Sequence, residues 1–247
     1  SPMGSSANIE GRLLAQNLNG HSGQYPGVLG TGVCKLPGLN CGRTGLGEAA
    51  AKEAGFDPVS VITVVDDKAH YYPGASSFLV KMIADRNSRK LLGLQCMGSG
   101  EADKMIDIAV MGISLGAALT DMEYLDFAYA PPFSTAIHPF AHTLNVLLNK
   151  ISGEFETFTP VEYQAGAAEG YTLIDCSPAP SLEGAEYLDY TSLTGEFPGH
   201  SKEEPLFLVC AKGKRAYLTQ NRLKSLGYTN TRVLEGGTTF NGTEIEA

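Results

Sequence analysis

A cysteine and three basic residues lie within six positions, in the segment Cys210-Ala211-Lys212-Gly213-Lys214-Arg215. The apolar residues before Cys210 predict a buried strand, and a helix is predicted to begin at or near Arg215. At such a strand end, the loop amides and the helix N-terminus direct positive partial charge at the sulfur, and the three cations add full charge. We therefore predict a nucleophilic Cys210 thiolate. The alternative is a core cysteine followed by a solvated basic turn.

The length of this loop narrows the chemistry. Four residues separate Cys210 from Arg215. Phosphatases of the Cys-x5-Arg type have five, and their wider loop surrounds a tetrahedral phosphate. The shorter loop suits a smaller guest, such as one extra sulfur atom carried on the cysteine.

Composition excludes several classes of partner. The formal net charge of the 247 residues is −9, which argues against a nucleic-acid backbone as the partner. The longest apolar stretch, residues 108–119, is shorter than the roughly 20 residues that span a bilayer. No membrane span and no signal peptide are therefore expected. The basic loop lies in the more acidic part of the chain, residues 151–247, where a cluster of cations needs an explanation.

Five cysteines are an odd and sparse set, which favours a reduced, cytoplasmic setting over a disulfide scaffold. Cys34, Cys41 and Cys96 have no cationic neighbourhood and are predicted to be packing residues. Cys176 follows an aspartate, but it could resolve a persulfide if the fold brings it near Cys210.

The four-residue spacing of His138 and His142 suits two metal ligands on a helix, yet Pro139 disfavours helix at His138. No metal site is expected.

The first 152 residues predict an α+β arrangement with an antiparallel sheet. The β-branched run 59–65 predicts a strand, and 77–84 with 91–97 predicts a hairpin. Helices are predicted at 7–18, 44–54, 103–115 and 141–150, with Thr44 as the N-cap of the second. After Gly153, strands at 172–175, 206–210 and 231–234 alternate with a helix at 215–226, which indicates a small α/β domain with a parallel sheet.

One motif imitates a dinucleotide-binding fingerprint. Residues 45–50 fit Gly-x-Gly-x-x-Ala, and the strand 59–65 ends at Asp66. The fingerprint must follow a strand, and the segment 36–42 is not predicted to be one. Nucleotide binding is therefore not expected at this place.

Residues 160–240 resemble a single rhodanese domain. The resemblance is carried by the Cys210–Arg215 loop and by Leu173-Ile174-Asp175, residues 223–228 and Val233-Leu234-Glu235-Gly236-Gly237-Thr238-Thr239-Phe240. It implies that Cys210 accepts a sulfane sulfur as a persulfide and passes it to a thiophilic acceptor. Arg215 is then a catalytic residue, and Lys212, Gly213 and Lys214 bind the substrate.

Residues 5–150 resemble the dimerisation domain of pyridine nucleotide-disulfide oxidoreductases, nearest to the CoA-disulfide and persulfide reductases that carry a rhodanese domain. Tyr129-Ala130-Pro131-Pro132-Phe133 is the most specific part, supported by Thr44-Gly45-Leu46 and Tyr71-Tyr72-Pro73-Gly74. The resemblance implies that Tyr129, Tyr71 and Tyr72 reach the disulfide site of a second subunit in a homodimer. A phenol can donate to a leaving thiolate or hold a substrate sulfur. The alternative is that they are interface or core aromatics.

Together these resemblances imply a division of the chain and a function. Residues 1–21 are expected to be a remnant of an FAD-binding domain, 22–152 the dimerisation domain and 153–247 the rhodanese-like domain. The implied whole protein is a CoA-disulfide, polysulfide or persulfide reductase that uses FAD and NAD(P)H, with a sulfane-sulfur donor and CoA thiol or disulfide as partners. No bound cofactor is expected in this chain alone. The alternatives are a stand-alone sulfurtransferase and a non-catalytic module for dimerisation or CoA binding.

Overall fold

Two five-stranded sheets organise the chain in the computed structural model, which describes residues 3–242. The first sheet has the order β1-β2-β5-β4-β3, and every neighbouring pair is antiparallel. Its strands are β1 Gly32–Leu36, β2 Leu39–Gly45, β3 Pro58–Asp66, β4 Ser77–Asp85 and β5 Leu91–Gly98. The predicted strand at 59–65 and the predicted hairpin are thereby confirmed.

Two helices, α3 Ala102–Ser114 and α5 Pro139–Ile151, pack on this sheet and bury their apolar faces. The short α2 Glu48–Glu53 contacts β3, and α4 Leu119–Met122 contacts α5. Helix α1 Gly4–Leu18 precedes the sheet and leaves Ile9, Leu14 and Leu18 exposed. On α3, Met105, Ile106 and Ala109 are buried at helical spacing, as the sequence predicts. Helix α5 begins at Pro139, which suits the first helical position because proline has no N–H to leave unpaired.

The second sheet is parallel throughout, in the order β6-β10-β9-β7-β8. Its strands are β6 Thr157–Phe158, β7 Thr172–Asp175, β8 Glu186–Tyr187, β9 Leu206–Val209 and β10 Thr231–Leu234. The helices of this part are α6 Pro160–Gln164, α7 Lys214–Ser225 and α8 Gly237–Asn241. The central strand β9 is apolar at every position because it is buried throughout. The predicted fold class, an antiparallel α+β part followed by a parallel α/β part, is confirmed.

One hydrophobic core runs through both parts of the chain. Phe140, Leu144 and Leu147 of α5 belong to the same buried cluster as Ile174 and Leu208 of the second sheet. Such a shared core holds the two sheets in one arrangement, because separating them would expose this apolar surface to water.

A buried carboxylate adds polar contacts between the two sheets. Glu235 accepts a hydrogen bond from the N–H of Ile62 on the edge strand β3 at 2.9 Å and from the hydroxyl of Thr157 at 2.6 Å. It also pairs with Lys150, which in turn donates to the carbonyl of Ser60 at 2.9 Å. The ion pair therefore fixes the edge of the first sheet against the end of β10.

Two predictions around residue 40 are wrong. The segment 36–42 is predicted not to be a strand, but it contains the end of β1, the Pro37-Gly38 turn and the first four residues of β2. Thr44 is not a helix N-cap either, since it lies buried in β2 and shares a hydrogen bond with Thr31 at 2.7 Å, while Gly47 caps the short α2. Glycines in β2 weaken the strand signal, and pairing with β5 supplies what local propensity lacks.

The Gly45–Ala50 motif does follow a strand, but its surroundings are unlike a dinucleotide site. β2 and β3 lie at different places in an antiparallel sheet with β5 and β4 between them, so they form no parallel βαβ unit. Within residues 3–242, no helix is long and apolar enough to cross a bilayer.

Candidate active site at the Cys210 loop

Cys210 follows the last residue of the central parallel strand and lies at the N-terminus of α7. Its side chain is 4% exposed. The backbone N–H of Ala216, in the first turn of α7, donates to Sγ of Cys210 at 3.4 Å. A helix N-terminus and its free amides favour negative charge on the atom that they face. The arrangement therefore suits a thiolate, and equally a persulfide anion, at this position.

Glycines allow the loop to close around the cysteine. Gly213 has φ +82° and caps α7, a conformation that other residues rarely adopt. The N–H groups of Thr238 and Thr239 donate to the carbonyls of Cys210 and Ala211 at 3.2 and 3.0 Å. Gly237 makes this close approach possible, because a Cβ there would lie 2.2 Å from the Cys210 carbonyl oxygen. The segment Gly236-Gly237 and the two threonines that follow, which we call the Gly-Gly tail, thus hold the Cys210 loop through backbone hydrogen bonds.

Arg215 fastens the loop to the neighbouring strand end. Its Nε donates to the carbonyl of Cys176 at 2.9 Å, and Nη2 donates to Oδ1 of Asp189 at 3.0 Å. The guanidinium also lies over the ring of Tyr190, 5.1 Å from the centroid. The guanidinium of Arg215 therefore lies beside the loop and is held by Cys176, Asp189 and Tyr190. A direct catalytic role for this residue stays a prediction.

The two lysines of the loop face the first sheet. Nζ of Lys212 forms an ion pair with Asp66 at 2.6 Å and donates to the hydroxyl of Ser77 at 2.8 Å. Lys214 lines a cleft of about 550 Å³ between the loop and α7 on one side and β3 and α5 on the other. The basic cluster thus joins the two halves of the chain and leaves a cavity of ligand size beside the loop.

The cleft contains polar groups that sequence reasoning missed. The side-chain oxygen of Asn145 is buried and has no hydrogen-bond partner among the described residues, although Asn145 lines the cleft. His142 lines it as well, and burial followed by the charge of Lys214 lowers the pKa of His142. Both side chains lie on α5, so the first half of the chain supplies part of the wall. Only the polar residues within an otherwise apolar helix could have indicated them.

The loops that carry the three predicted tyrosines lie near this place. Asp66 and Ser77, the contacts of Lys212, are the two ends of the segment that carries Tyr71 and Tyr72. The N–H of Ala69 donates to the carbonyl of Pro131 at 3.4 Å, which joins that segment to the one carrying Tyr129. Tyr71 and Tyr129 are 68% and 52% exposed. Their side chains face solvent in this chain, and their catalytic or binding roles stay predictions.

Cys176 lies directly beside Cys210. Its N–H donates to the carbonyl of Val209 at 2.7 Å, and the pairing of β7 with β9 brings the two cysteines to adjacent strand ends. Burial raises the pKa of the Cys176 thiol to about 12. The neighbour is thus a buried thiol, poorly suited to attack a persulfide at neutral pH.

The two histidines with metal-ligand spacing lie in different surroundings, since His142 lines the cleft and His138 caps a helix. His138 is the N-cap of α5, accepts the N–H of Phe140 at Nδ1 and stacks on Phe127. Burial lowers the pKa of His138 to about 4. Within the described part of the chain, no three His, Cys, Asp or Glu side chains are grouped as metal ligands.

Two family profiles match separate parts of the chain. Residues 33–141 match the pyridine nucleotide-disulphide oxidoreductase dimerisation domain, and residues 159–239 match the rhodanese-like domain. The chain joins a dimerisation domain of this family to a rhodanese-like domain. The second domain contains Cys210 and its loop, and the first supplies the opposite wall of the cleft.

Known proteins share parts of this arrangement. The CoA-dependent NAD(P)H sulfur oxidoreductase of Pyrococcus furiosus is 35% identical over 146 residues, which cover 59% of this chain and 33% of that protein. The coenzyme A disulfide reductase of Staphylococcus epidermidis is 30% identical over 56% of this chain and 31% of its own length. The solved NAD-dependent persulfide reductase from A. fulgidus has 32% identity and a TM-score of 0.87, covering 97% of this chain and 44% of that one. The chain thus spans about a third of the curated relatives' length.

Proposed function

We propose that this chain provides the dimerisation and rhodanese domains of an NAD(P)H-dependent CoA-disulfide, polysulfide or persulfide reductase, in which Cys210 carries sulfane sulfur as a persulfide. The observation that supports this most directly is the hydrogen bond from the Ala216 N–H to the sulfur of Cys210. It comes from a helix N-terminus, in a loop that the tail around Gly237 holds closed.

The proposed reaction is transfer of one neutral sulfur atom. The Cys210 thiolate attacks the outer sulfur of a persulfide or polysulfide, a new S–S bond forms, and the donor's inner sulfur leaves as a thiolate. In the second half, an acceptor thiolate attacks the outer sulfur and Cys210 leaves with the electron pair. The first-turn amides of α7 stabilise the negative charge in both halves. Lys214, at the edge of the cleft, attracts anionic donors.

FAD and NAD(P)H belong to the proposed whole protein, and the glycine motif at residues 45–50 does not fit the binding of either of them. It begins at the end of a strand of an antiparallel sheet and lacks the parallel βαβ setting that a dinucleotide needs. No step of the proposed transfer therefore passes through these groups here. CoA thiol or disulfide is proposed as the partner substrate because the names of two relatives include it.

A homodimer is the proposed assembly. The matching family profile is that of a dimerisation domain, and Tyr71, Tyr129 and Phe133 leave aromatic surface exposed on neighbouring loops. In the dimer these tyrosines would contact the disulfide site of the second subunit, where a phenol can donate to a leaving thiolate.

Intact mass spectrometry after treatment with polysulfide tests the sulfur-carrier role. We expect a gain of one sulfur atom that cyanide removes, that is lost in Cys210→Ser and that remains in the control Cys96→Ala, which deletes a buried thiol of the first sheet. Equal loading of Cys210→Ser and the unmodified chain would show that another thiol carries the sulfur. No loading of a folded chain would leave a domain that binds rather than reacts.

A further inference from the structure

Besides Cys210 and Cys176, a second pair of neighbouring cysteines lies in the β1–β2 hairpin, at the edge of the first sheet opposite to β3. Cys34 and Cys41 are directly opposite each other in the antiparallel register. Their Sγ atoms are 3.0 Å apart. Cys34 is exposed and Cys41 is half-buried, whereas the chain's other three cysteines are buried. The exposure of Cys34 shows that the prediction of a packing role is wrong for this residue.

Hairpin geometry already meets the requirement for a disulfide. Directly opposite residues of an antiparallel pair have Cα atoms about 4.5–5.5 Å apart, within the roughly 4.4–6.8 Å that disulfides span. The Pro37-Gly38 turn fixes the register, with φ +70° at Gly38. Closing the bond therefore needs only a small movement of the two side chains.

The pair opens onto a cavity of about 670 Å³ on the outer face of the sheet. Met97 is the register partner of Cys41 and Leu79 that of Met97, so these side chains line the same face. Of the described residues that line the cavity, the charged ones are Arg43 and Lys81, and both are basic. Lys81 is neutralised by Glu48 at 2.5 Å, which leaves Arg43 as the cation nearest along β2.

We propose that Cys34 and Cys41 form a redox-active dithiol that closes reversibly into a cross-strand disulfide by exchange with a small anionic disulfide. This site is independent of the Cys210 persulfide. The juxtaposed thiols, the cavity and its unbalanced positive charge support it. Nothing in the rhodanese loop is required for it.

The exchange balances as a two-electron transfer. The Cys34 thiolate attacks one sulfur of the external disulfide, and the first external thiolate leaves. Cys41 then gives up its proton and attacks the Cys34 sulfur, which expels the second external thiolate. The protein dithiol is oxidised, the external disulfide is reduced to two thiols, and the two protons from the cysteines end on those thiols.

The exposed cysteine is the attacking residue in this order of steps. The hydrogen bond with Cys34, and then its slight burial, raise the pKa of Cys41. Cys41 therefore remains a thiol until the mixed disulfide on Cys34 removes that hydrogen bond. The second attack is favoured because the two sulfurs are already in contact.

Glutathione disulfide serves as the probe in a Cys210→Ser background. We expect the mass to fall by two hydrogens and titratable thiols to fall by two. A tryptic digest without reductant gives a linked pair of peptides, because Lys35 lies between the two cysteines. In Cys41→Ser the reaction stops at a mixed disulfide on Cys34, whereas Cys176→Ala, which removes a buried thiol of the second sheet, behaves like the background. A stable glutathione adduct in the background, or no reaction, would overturn the proposal.

The preference for an anionic substrate is tested with cystamine, a cationic disulfide. The rate of closure with each disulfide is divided by the rate at which that disulfide exchanges with a free cysteine peptide. At low salt we expect this normalised rate to be roughly three- to tenfold higher for glutathione disulfide than for cystamine. Arg43→Gln should remove most of that ratio and leave closure itself intact. Equal ratios in both proteins would show that the cavity does not select by charge.

Discussion

His200 lies between two carboxylates at the edge of the second sheet. Nε2 is 2.9 Å from Glu186 and Nδ1 is 3.0 Å from Glu204, and the side chain is 8% exposed. The ring also stacks on Phe197 at 4.2 Å between centroids. Burial by itself would lower the pKa of His200, but the close carboxylate of Glu204 and the hydrogen-bonded carboxylate of Glu186 raise it above 6.5 overall. The folded state therefore stabilises the protonated form of His200 more than the unfolded state does.

This shift predicts a pH dependence of stability. A raised folded-state pKa gives stability that is complete below the unfolded value of about 6.5 and is lost as the pH rises through the folded value. His200→Gln should therefore lower the melting temperature more at about pH 6 than at about pH 9. His21→Gln, at an exposed position, is the control, and its effect on the melting temperature should be the same at the two pH values. An equal effect of His200→Gln at both pH values would contradict the assignment.

At the scale of elements, the contact between the Gly-Gly tail and the Cys210 loop decides the loop's shape. A Cβ at Gly237 would lie 2.2 Å from the Cys210 oxygen and 2.5 Å from the Ala211 oxygen, and φ is +55°. We expect Gly237→Ala to cost about 1–3 kcal/mol of stability and to reduce persulfide loading about tenfold. Gly195→Ala, where a Cβ would have open space, should change neither. Stability and rate of loading by mass spectrometry give the readout, and equal loading of the two variants would contradict the clamp.

Local sequence patterns predict elements that bury a regular apolar face. The strand around residues 59–65 and helix α3 follow from β-branched runs and helical spacing. The β1–β2 hairpin does not, because its glycines and polar residues are ordered by pairing with β5. The two-residue strands β6 and β8 also depend on their partners rather than on propensity.

The candidate site divides in the same way. Cys210 and its glycine loop could be predicted because the strand, loop and helix that position them are contiguous. The wall formed by Asn145 and His142 could not, because it comes from α5 more than sixty residues earlier in the chain. The contact of Cys34 with Cys41 likewise needed the register of a hairpin that no local signal indicated.

At the scale of the whole molecule, the Glu235–Lys150 pair is a buried polar contact between the two sheets. Glu235 is fully buried and Lys150 is 19% exposed, and Glu235 also holds the edge of β3 through the Ile62 N–H. It lies two positions before Gly237 and lines the cleft beside the Cys210 loop. Breaking a buried ion pair leaves one charge buried without a partner. This lowers the free energy of unfolding more than breaking a solvent-exposed ion pair does.

Glu235→Gln should therefore lower the free energy of unfolding by about 2–3 kcal/mol, since the ammonium of Lys150 loses its buried partner. Glu196→Gln, which breaks the exposed pair with Lys202, should cost less than about 1 kcal/mol. Denaturant unfolding followed by circular dichroism measures both. Equal losses would mean that the shared core, rather than the ion pair, fixes the two sheets. A larger loss in Glu235→Gln together with slower persulfide loading would tie the shape of the cleft to this one interdomain contact.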